Sequence, residues 1–358
     1  GRRASEILDR MEEMGASSDD NGDDGLARPD VISYNTVLAA WSKSAGVGPS
    51  SSEGEEEGAG NNSSVVGKSA AFRALKLLDT IEQRYMQSHH SRKDMLAKAA
   101  STTTSAYDNN HTSRVVKPDA VSYNTTISAF ANAAQTCKNG VSMAEEAEAI
   151  LSRMKDRRLG IEPDAYSYNG VLSAWARSSG GLPAARRAES ILRSMRDPTI
   201  VSWSTVVNAY AHADGATKAE GLLREMEQNA NNNSFERSKN GSRAQPIAPS
   251  TVLYNNVLHA WGKSSDGDAS KNAMELLDRM ENATSKLPKP DVISYQLVLT
   301  ALQHGRDPDK AERAKSVLDR LLASVRRRDI RAGHRDIRSA YNCVLTSCAY
   351  TPADAGQQ

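Results

Sequence analysis

Apolar residues fall along the chain at helical spacing, and one short arrangement of them returns seven times. In its first copy Tyr34, Val37, Leu38 and Trp41 stand at i, i+3, i+4 and i+7, one face of an α-helix. The copies read PDVISYNTVLAAW from Pro29, PDAVSYNTTISAF from Pro118, PDAYSYNGVLSAW from Pro163 and PTIVSWSTVVNAY from Pro198. They continue with PSTVLYNNVLHAW from Pro249, PDVISYQLVLTAL from Pro290 and a degenerate DIRSAYNCVLTSC from Asp336. Aligned, they share an aromatic column (Tyr34, Tyr123, Tyr168, Trp203, Tyr254, Tyr295, Tyr341) and a branched apolar column that begins with Leu38, Ile127 and Leu172. A small column beginning with Ala40, Ala129 and Ala174 follows, and beside it comes a second, mostly aromatic one that starts at Trp41, Phe130 and Trp175. Proline is tolerated before or in a helix's first turn but not inside it, so each Pro predicts a helix entrance. The Asp or Ser behind it predicts a cap for the free backbone N–H groups.

A second amphipathic stretch accompanies each first one, as in ASEILDRMEEM from Ala4, MAEEAEAILSRMKDRR from Met143 and SKNAMELLDRME from Ser270. Each carries an Ala-x-x-Leu-Leu-like stripe with charges opposite. The unit is helix, turn, helix, and one such hairpin cannot bury its apolar face alone, so stacked copies share a core. This predicts an all-α repeat fold. Residues 1–30 hold the C-terminal helix of a preceding repeat, and 31–358 hold about six repeats plus a truncated last one. Successive copies, counted from the residue after the aromatic, are 89, 45, 35, 51, 41 and 46 residues apart. The shortest is the bare unit, and the excess is predicted to loop out as disordered insertions at about 46–67, 88–116 and 229–247, which are Gly-, Ser-, Thr- or Asn-rich. The acidic run Glu53–Glu57 is the one candidate there for a partner-binding loop.

Charge narrows the partners. Lys and Arg number 45 against 44 Asp and Glu, a formal net charge of +1, so bulk charge favours neither nucleic acid nor membrane, and a polyanion needs a local basic stripe. No apolar run approaches a membrane-spanning length. Cys137, Cys343 and Cys348 give neither a disulfide framework nor a zinc spacing, which suits a reducing compartment. Cys343 and Cys348, five apart on one helix, are expected in the core. The seven histidines are scattered, and no phosphate loop, nucleophile elbow or deaminase spacing is present, so we expect no enzyme, no metal and no cofactor. Arg326, Arg327 and Arg328 are expected to interact with a helix C-terminus. The chain opens GRRASEILDR, already inside an amphipathic pattern, and is expected to be a fragment of a longer protein, its targeting peptide missing.

The Pro-Asp-x-x-Ser-Tyr-Asn string, with Ala-x-x-Leu-Leu-x-x-Met in the second helix, resembles the pentatricopeptide repeat family over nearly the whole chain outside the insertions. The resemblance implies a right-handed superhelical solenoid of helix-turn-helix repeats. It also implies sequence-specific binding of single-stranded RNA in a mitochondrion or chloroplast, one base per repeat, for RNA processing, stability or translation. In the family, the residue after the aromatic and the last residue of the same repeat read the base. Carried over, the reading pairs are Asn35 with Asp119, Asn124 with Asp164 and Asn255 with Asp291, which favour uracil. Asn169 with Thr199 leans to a pyrimidine and Ser204 with Ser250 to a purine, while Gln296 with Ile337 departs from the pattern and is assigned no base. The family's base-sandwiching positions are Ile32, Val121, Tyr166, Val201, Val252 and Ile293, with Ser339 departing in the last copy. The implied core site is roughly U-U-Y-R-U. Partners are then a U-rich, pyrimidine-leaning single strand and other proteins of an RNA-processing complex, with no membrane. The alternative is a helical-repeat scaffold for protein–protein interaction, using the same surface.

Overall fold

Each proline entrance opens a helix, because the residue behind it turns the predicted cap into an observed one. Asp119 takes the Ser122 amide at 2.9 Å, Asp164 the Ser167 amide at 2.8 Å and Asp291 the Ser294 amide at 2.9 Å. In all three the serine hydroxyl reaches back to the amide of the capping residue, closing a capping box. The computed structural model describes residues 1–17, 29–46, 59–99, 116–156, 160–231, 248–264, 266–282, 287–305 and 308–349. Among these residues there are fourteen α-helices and no strand, an all-α fold.

The chain divides into two compact units, residues 1–180 and 181–358. The first holds α1 (Arg2–Ser17), α2 (Val31–Gly46), α3 (Ala59–Ala99), α4 (Ala120–Thr136), α5 (Gly140–Met154) and α6 (Ala165–Arg177). Its first helices α2, α4 and α6 pack in succession, with the second helices α1, α3 and α5 against them. The second unit holds α7 (Gly181–Ser194), α8 (Ile200–His212), α9 (Ala216–Asn231), α10 (Thr251–Lys263), α11 (Ala269–Glu281), α12 (Val292–His304), α13 (Lys310–Arg326) and α14 (His334–Ala349). There α8, α10, α12 and α14 form the corresponding succession. Within each unit the architecture is stacked helical hairpins.

The sequence columns build these cores. Leu38, Ile127, Leu172, Val207, Leu258 and Leu299 are fully buried, and the small column at Ala129, Ala174, Ala209, Ala260 and Ala301 lets neighbouring helices close in. The α4–α6 approach is close enough that a Cβ at Gly170 would lie 2.7 Å from Cγ2 of Ile127, so this position accepts no side chain without repacking. The polar tips of the aromatics all turn to the preceding second helix. Trp41 donates to Ser5 (2.8 Å), Trp175 to Glu148 (3.2 Å), Tyr210 to Glu189 (2.6 Å) and Trp261 to Glu220 (2.8 Å). Where that column holds Phe130 or Leu302, with no polar tip, the matching second-helix residue is Leu75 or Met274 instead of an acceptor.

The first aromatic column makes a second set of junctions. Tyr34 donates to Glu12 (2.7 Å), Tyr123 to Glu82, Tyr254 to Glu227 (2.7 Å) and Tyr295 to Glu281 (2.7 Å), each acceptor on the preceding second helix. An arginine from the following second helix completes each: Arg84 on Glu12 (2.7 Å), Arg153 on Glu82, Arg279 near Glu227 (3.8 Å) and Arg320 on Glu281 (2.7 Å). Burial, reinforced by the glutamate, pushes the Tyr34 and Tyr295 hydroxyls up to about 12, and those of Tyr123 and Tyr254 rise in the same direction.

Two expectations are corrected. Residues 59–67 and 88–99, read as parts of disordered insertions, are the two ends of the 41-residue helix α3. Residues 88–99 are rich in Lys, Arg, Ala, Leu and Met without Gly or Pro, so helix propensity extends the hairpin although little there is apolar. Residues 229–231 likewise end α9. The acidic run Glu53–Glu57, His111 and the remainder of the three tracts lie outside the described residues. Cys348 is exposed and Cys343 only partly buried, not core. No described helix follows α14, and there Tyr341 is 45% and Leu345 65% exposed, although their column mates in other copies are buried or, at Tyr168, half-buried. At the end of α13 the basic cluster stays close to the helix it terminates. Arg327 donates to Ser324 (3.4 Å) and pairs with Asp329 (3.2 Å), while Arg328 takes a left-handed backbone at φ 63°.

Candidate nucleic-acid interface

Three residues before the polar column, on the same helix face, stands an apolar column that the cores do not use. Ile32, Val121, Tyr166, Val201, Val252 and Ile293 are between 54% (Val121, Ile293) and 73% (Ile32) exposed. A single exposed apolar side chain is ordinary; the same register position left open in six successive hairpins is not. The column lies in the first turn of each first helix, whose entrance is fixed by the cap.

Beside it, the polar column is held across repeats. The Asn35 amide nitrogen donates to Asp119 at 3.1 Å, that of Asn124 to Asp164 at 3.4 Å, and that of Asn255 to both oxygens of Asp291 at 3.2 and 3.4 Å. The same Asp oxygen that caps the next helix therefore orients the preceding repeat's asparagine. Capping and amide positioning are thus two uses of one carboxylate. Burial pushes the Asp119 carboxyl up, but hydrogen bonds from the Ser122 backbone, Asn35 and the Ser122 hydroxyl outweigh it and hold it below the usual aspartate value. Asp164 is lowered in the same way against its burial, by Ser167 and Asn124. Both remain acceptors at neutral pH.

The remaining assigned residues lie as follows. Asn169 lies on α6 in the first unit and is half-buried; Thr199, in the second, caps α8 with its hydroxyl 3.0 Å from that of Ser202. Ser250 caps α10 through the Leu253 amide (3.4 Å), while Ser204 lies half-buried on α8. Gln296, to which no base was assigned, donates its amide to the backbone carbonyl of Asp336 (3.3 Å).

A serine column, present in the Pro-Asp-x-x-Ser string but unused in reading it, proves to belong to this site. The Ser122 hydroxyl lies 2.7 Å from Oδ1 of Asn35, and that of Ser294 2.7 Å from Oδ1 of Asn255. In the Asn124 copy the equivalent Ser167 hydroxyl meets only its own cap, Asp164 (2.9 Å), and Oδ1 of Asn124 is buried without a partner. Spacing alone shows a capping box here; that the box reaches a different repeat requires the fold.

The first helices also end alike. Lys43, Arg177, His212, Lys263 and His304 occupy one column in the last turns of α2, α6, α8, α10 and α12, eight residues beyond the polar column. Lys43, Arg177 and Lys263 thereby stand about 12 Å along the helix from Asn35, Asn169 and Asn255, while the matching residue in α4 is Asn132. His259 is held below its ordinary value by burial and then by the charges of Lys263 and His212, which marks a locally positive neighbourhood in the second unit. Among the described residues no cluster of His, Cys, Asp or Glu is arranged to hold a metal, and no helix is long and apolar enough to cross a membrane.

No family model matches the sequence, and no curated protein matches it. Solved structures similar to the chain include two crystal structures of the pentatricopeptide repeat protein PPR10 in complex with an 18-nt psaJ RNA element, one of them carrying cysteine-to-serine substitutions. Each is 16% identical over 96% of this chain, with a TM-score of 0.42, and the chain spans 40% of the length of those proteins. Among the described residues the chain is an all-α protein of stacked helical hairpins, and its repeat columns resemble those of the pentatricopeptide repeat family.

Proposed function

We propose that the chain binds single-stranded RNA through its first helices, one base per repeat, in an organelle, for RNA processing, stability or translation. The observation that carries this is the exposed apolar column from Ile32 to Ile293, each member one turn before a polar residue. A base needs an apolar surface for its faces and a hydrogen-bonding group for its edge, and this column pair offers both. The basic column at the helix ends supplies the local charge for phosphates that a net charge of +1 does not. The mitochondrial or chloroplast setting, the processing role and the U-U-Y-R-U site follow from the family resemblance and belong to this proposal.

The test titrates the chain with a U-rich single strand and with a purine-rich strand of equal length, at two salt concentrations. Tighter binding of the U-rich strand, weakening as salt rises, is expected. Asn255→Ala with Asp291→Ala should remove about 1–3 kcal/mol of discrimination at one base. Equal affinity for both strands would rule out base reading. No RNA binding at all would favour the protein scaffold.

A further inference from the structure

The three Asn–Asp pairs look equivalent in sequence, yet their amides are held differently. The Asp119 carboxylate accepts only, so the Asn35 amide must turn its nitrogen to it, and a flipped amide would set oxygen against carboxylate. With the nitrogen so placed, Oδ1 of Asn35 faces the Ser122 hydroxyl at 2.7 Å, shorter than the hydroxyl's 2.9 Å distance to Asp119. Asp119 already takes the Ser122 amide and Asn35, so the single hydroxyl proton is best used on Oδ1. Asn255 repeats the arrangement with Asp291 and Ser294 at matching distances. Both amides are fixed from two sides, oxygen turned inward. Each nitrogen keeps a second N–H to give.

Asn124 is fixed from one side only, by a 3.4 Å contact to Asp164. Its Oδ1, in a side chain only 8% exposed, has no partner at all. A buried acceptor left unmatched is costly, and only the long Asp164 contact opposes a rotation of the amide that brings its oxygen to a ligand's donor. Uracil presents carbonyl acceptors on its pairing edge, whereas cytosine presents an amine donor where uracil has a carbonyl.

We infer that Ser122 and Ser294 are specificity-determining residues. By locking the asparagine amide with its N–H outward, they make the Asn35 and Asn255 sites select uracil over cytosine, while the Asn124 site, lacking this lock, accepts both. The inference rests on the RNA reading proposed above.

The test is a panel of oligouridine strands, each with a single U replaced by C at a different position, titrated against the full chain. Two positions are expected at which the replacement weakens binding by roughly fivefold, the size of one neutral hydrogen bond. The Asn124 position shows less than about a twofold change, within the small net worth of a hydrogen bond that either base can make. Ser122→Ala removes the penalty at one sharp position and Ser294→Ala at the other, and Ser122→Thr, which keeps the hydroxyl, preserves it. Ser167→Ala is the matched control: it loses the same capping hydroxyl but no amide contact, and leaves the profile unchanged. If Ser167→Ala flattens the profile as Ser122→Ala does, cap loss is the cause and the inference is overturned. If oligouridine binds but Ser122→Ala leaves both penalties intact, the inference fails and the RNA reading stands. If no strand binds, both fall together.

Discussion

At the junction of α3, α4 and α5 Tyr123 meets a carboxylate, and at that of α5 and α6 its column mate Tyr168 meets an ammonium. Tyr123 is fully buried, its hydroxyl given to Glu82, with Arg153 closing on Glu82 and on Asp79 (2.7 Å). Tyr168 is half-buried, and Lys155, standing where α1, α3, α9 and α11 carry glutamate, sits 5.2 Å from the ring centroid. The α7–α8 junction follows the second solution, with Arg193 5.5 Å over the Trp203 ring. One aromatic column therefore joins neighbours either by its polar tip or by its face. The difference teaches where stability resides. A donated hydroxyl plus a partly buried ion pair is costly to break, because breaking it strands charge. A cation over a half-exposed ring is cheap to lose.

The largest effect should come from removing all four tip junctions together, by pH. A tyrosine hydroxyl whose folded value is raised contributes stability fully present below its unfolded value of 10.0 and lost as pH rises through the folded one. For Tyr34 and Tyr295 that window runs from 10.0 to about 12. Circular-dichroism melts should show the melting temperature falling steeply across this window. A variant with phenylalanine at 34, 123, 254 and 295 should be less stable at pH 8 but markedly flatter above pH 10. Parallel pH profiles for the two proteins would show that the hydroxyls are not engaged.

Next in size is Glu82→Ala. It leaves the buried Tyr123 hydroxyl without its acceptor and Arg153 with only the more exposed Asp79. Discounted for the solvent reaching Arg153, the expected loss is about 2–3 kcal/mol. The urea midpoint of the full chain measures it. Because repeat arrays unfold in part, the drop should appear first in a transition assigned to the first unit.

Much of this was legible in the sequence. The aromatic, branched and small columns announced helical hairpins because a buried face tolerates little variation, and the structure buries most of their members, with Ala40 and Tyr168 half-buried and the last copy more exposed. The exposed column at Ile32, Val121 and Tyr166 could not be recognised as exposed from residue type, since those residues would serve a core equally well. The loop assignment at 88–99 failed because polarity was taken for disorder where helix propensity prevails. The Tyr–Glu–Arg junctions and the Ser122–Asn35 contact span two or three repeats separated by insertions of unequal length. No local spacing displays them. One signal was available nonetheless: Ser5, Glu148, Glu189 and Glu220 stand wherever the following aromatic has a polar tip, and Leu75 and Met274 where it does not.

The smallest effect tests the other half of the comparison. Lys155→Met keeps most of the side chain's apolar length over Tyr168 and removes only its charge. The ring is half-exposed and the lysine exposed, so the lost attraction should be about 0.5 kcal/mol, near the floor for an exposed cation–π pair. Lys155→Glu sharpens it, because glutamate here restores the residue found at the matching position of α1, α3, α9 and α11. If the tip junction is set by the second-helix residue, the new carboxylate should draw the Tyr168 hydroxyl as Glu82 draws that of Tyr123. That variant should then equal or exceed the parent in its urea midpoint, while Lys155→Met falls slightly below it. A glutamate variant less stable than the methionine one would mean that the face-on geometry at α5–α6 is imposed by the backbone instead of by the charge of residue 155.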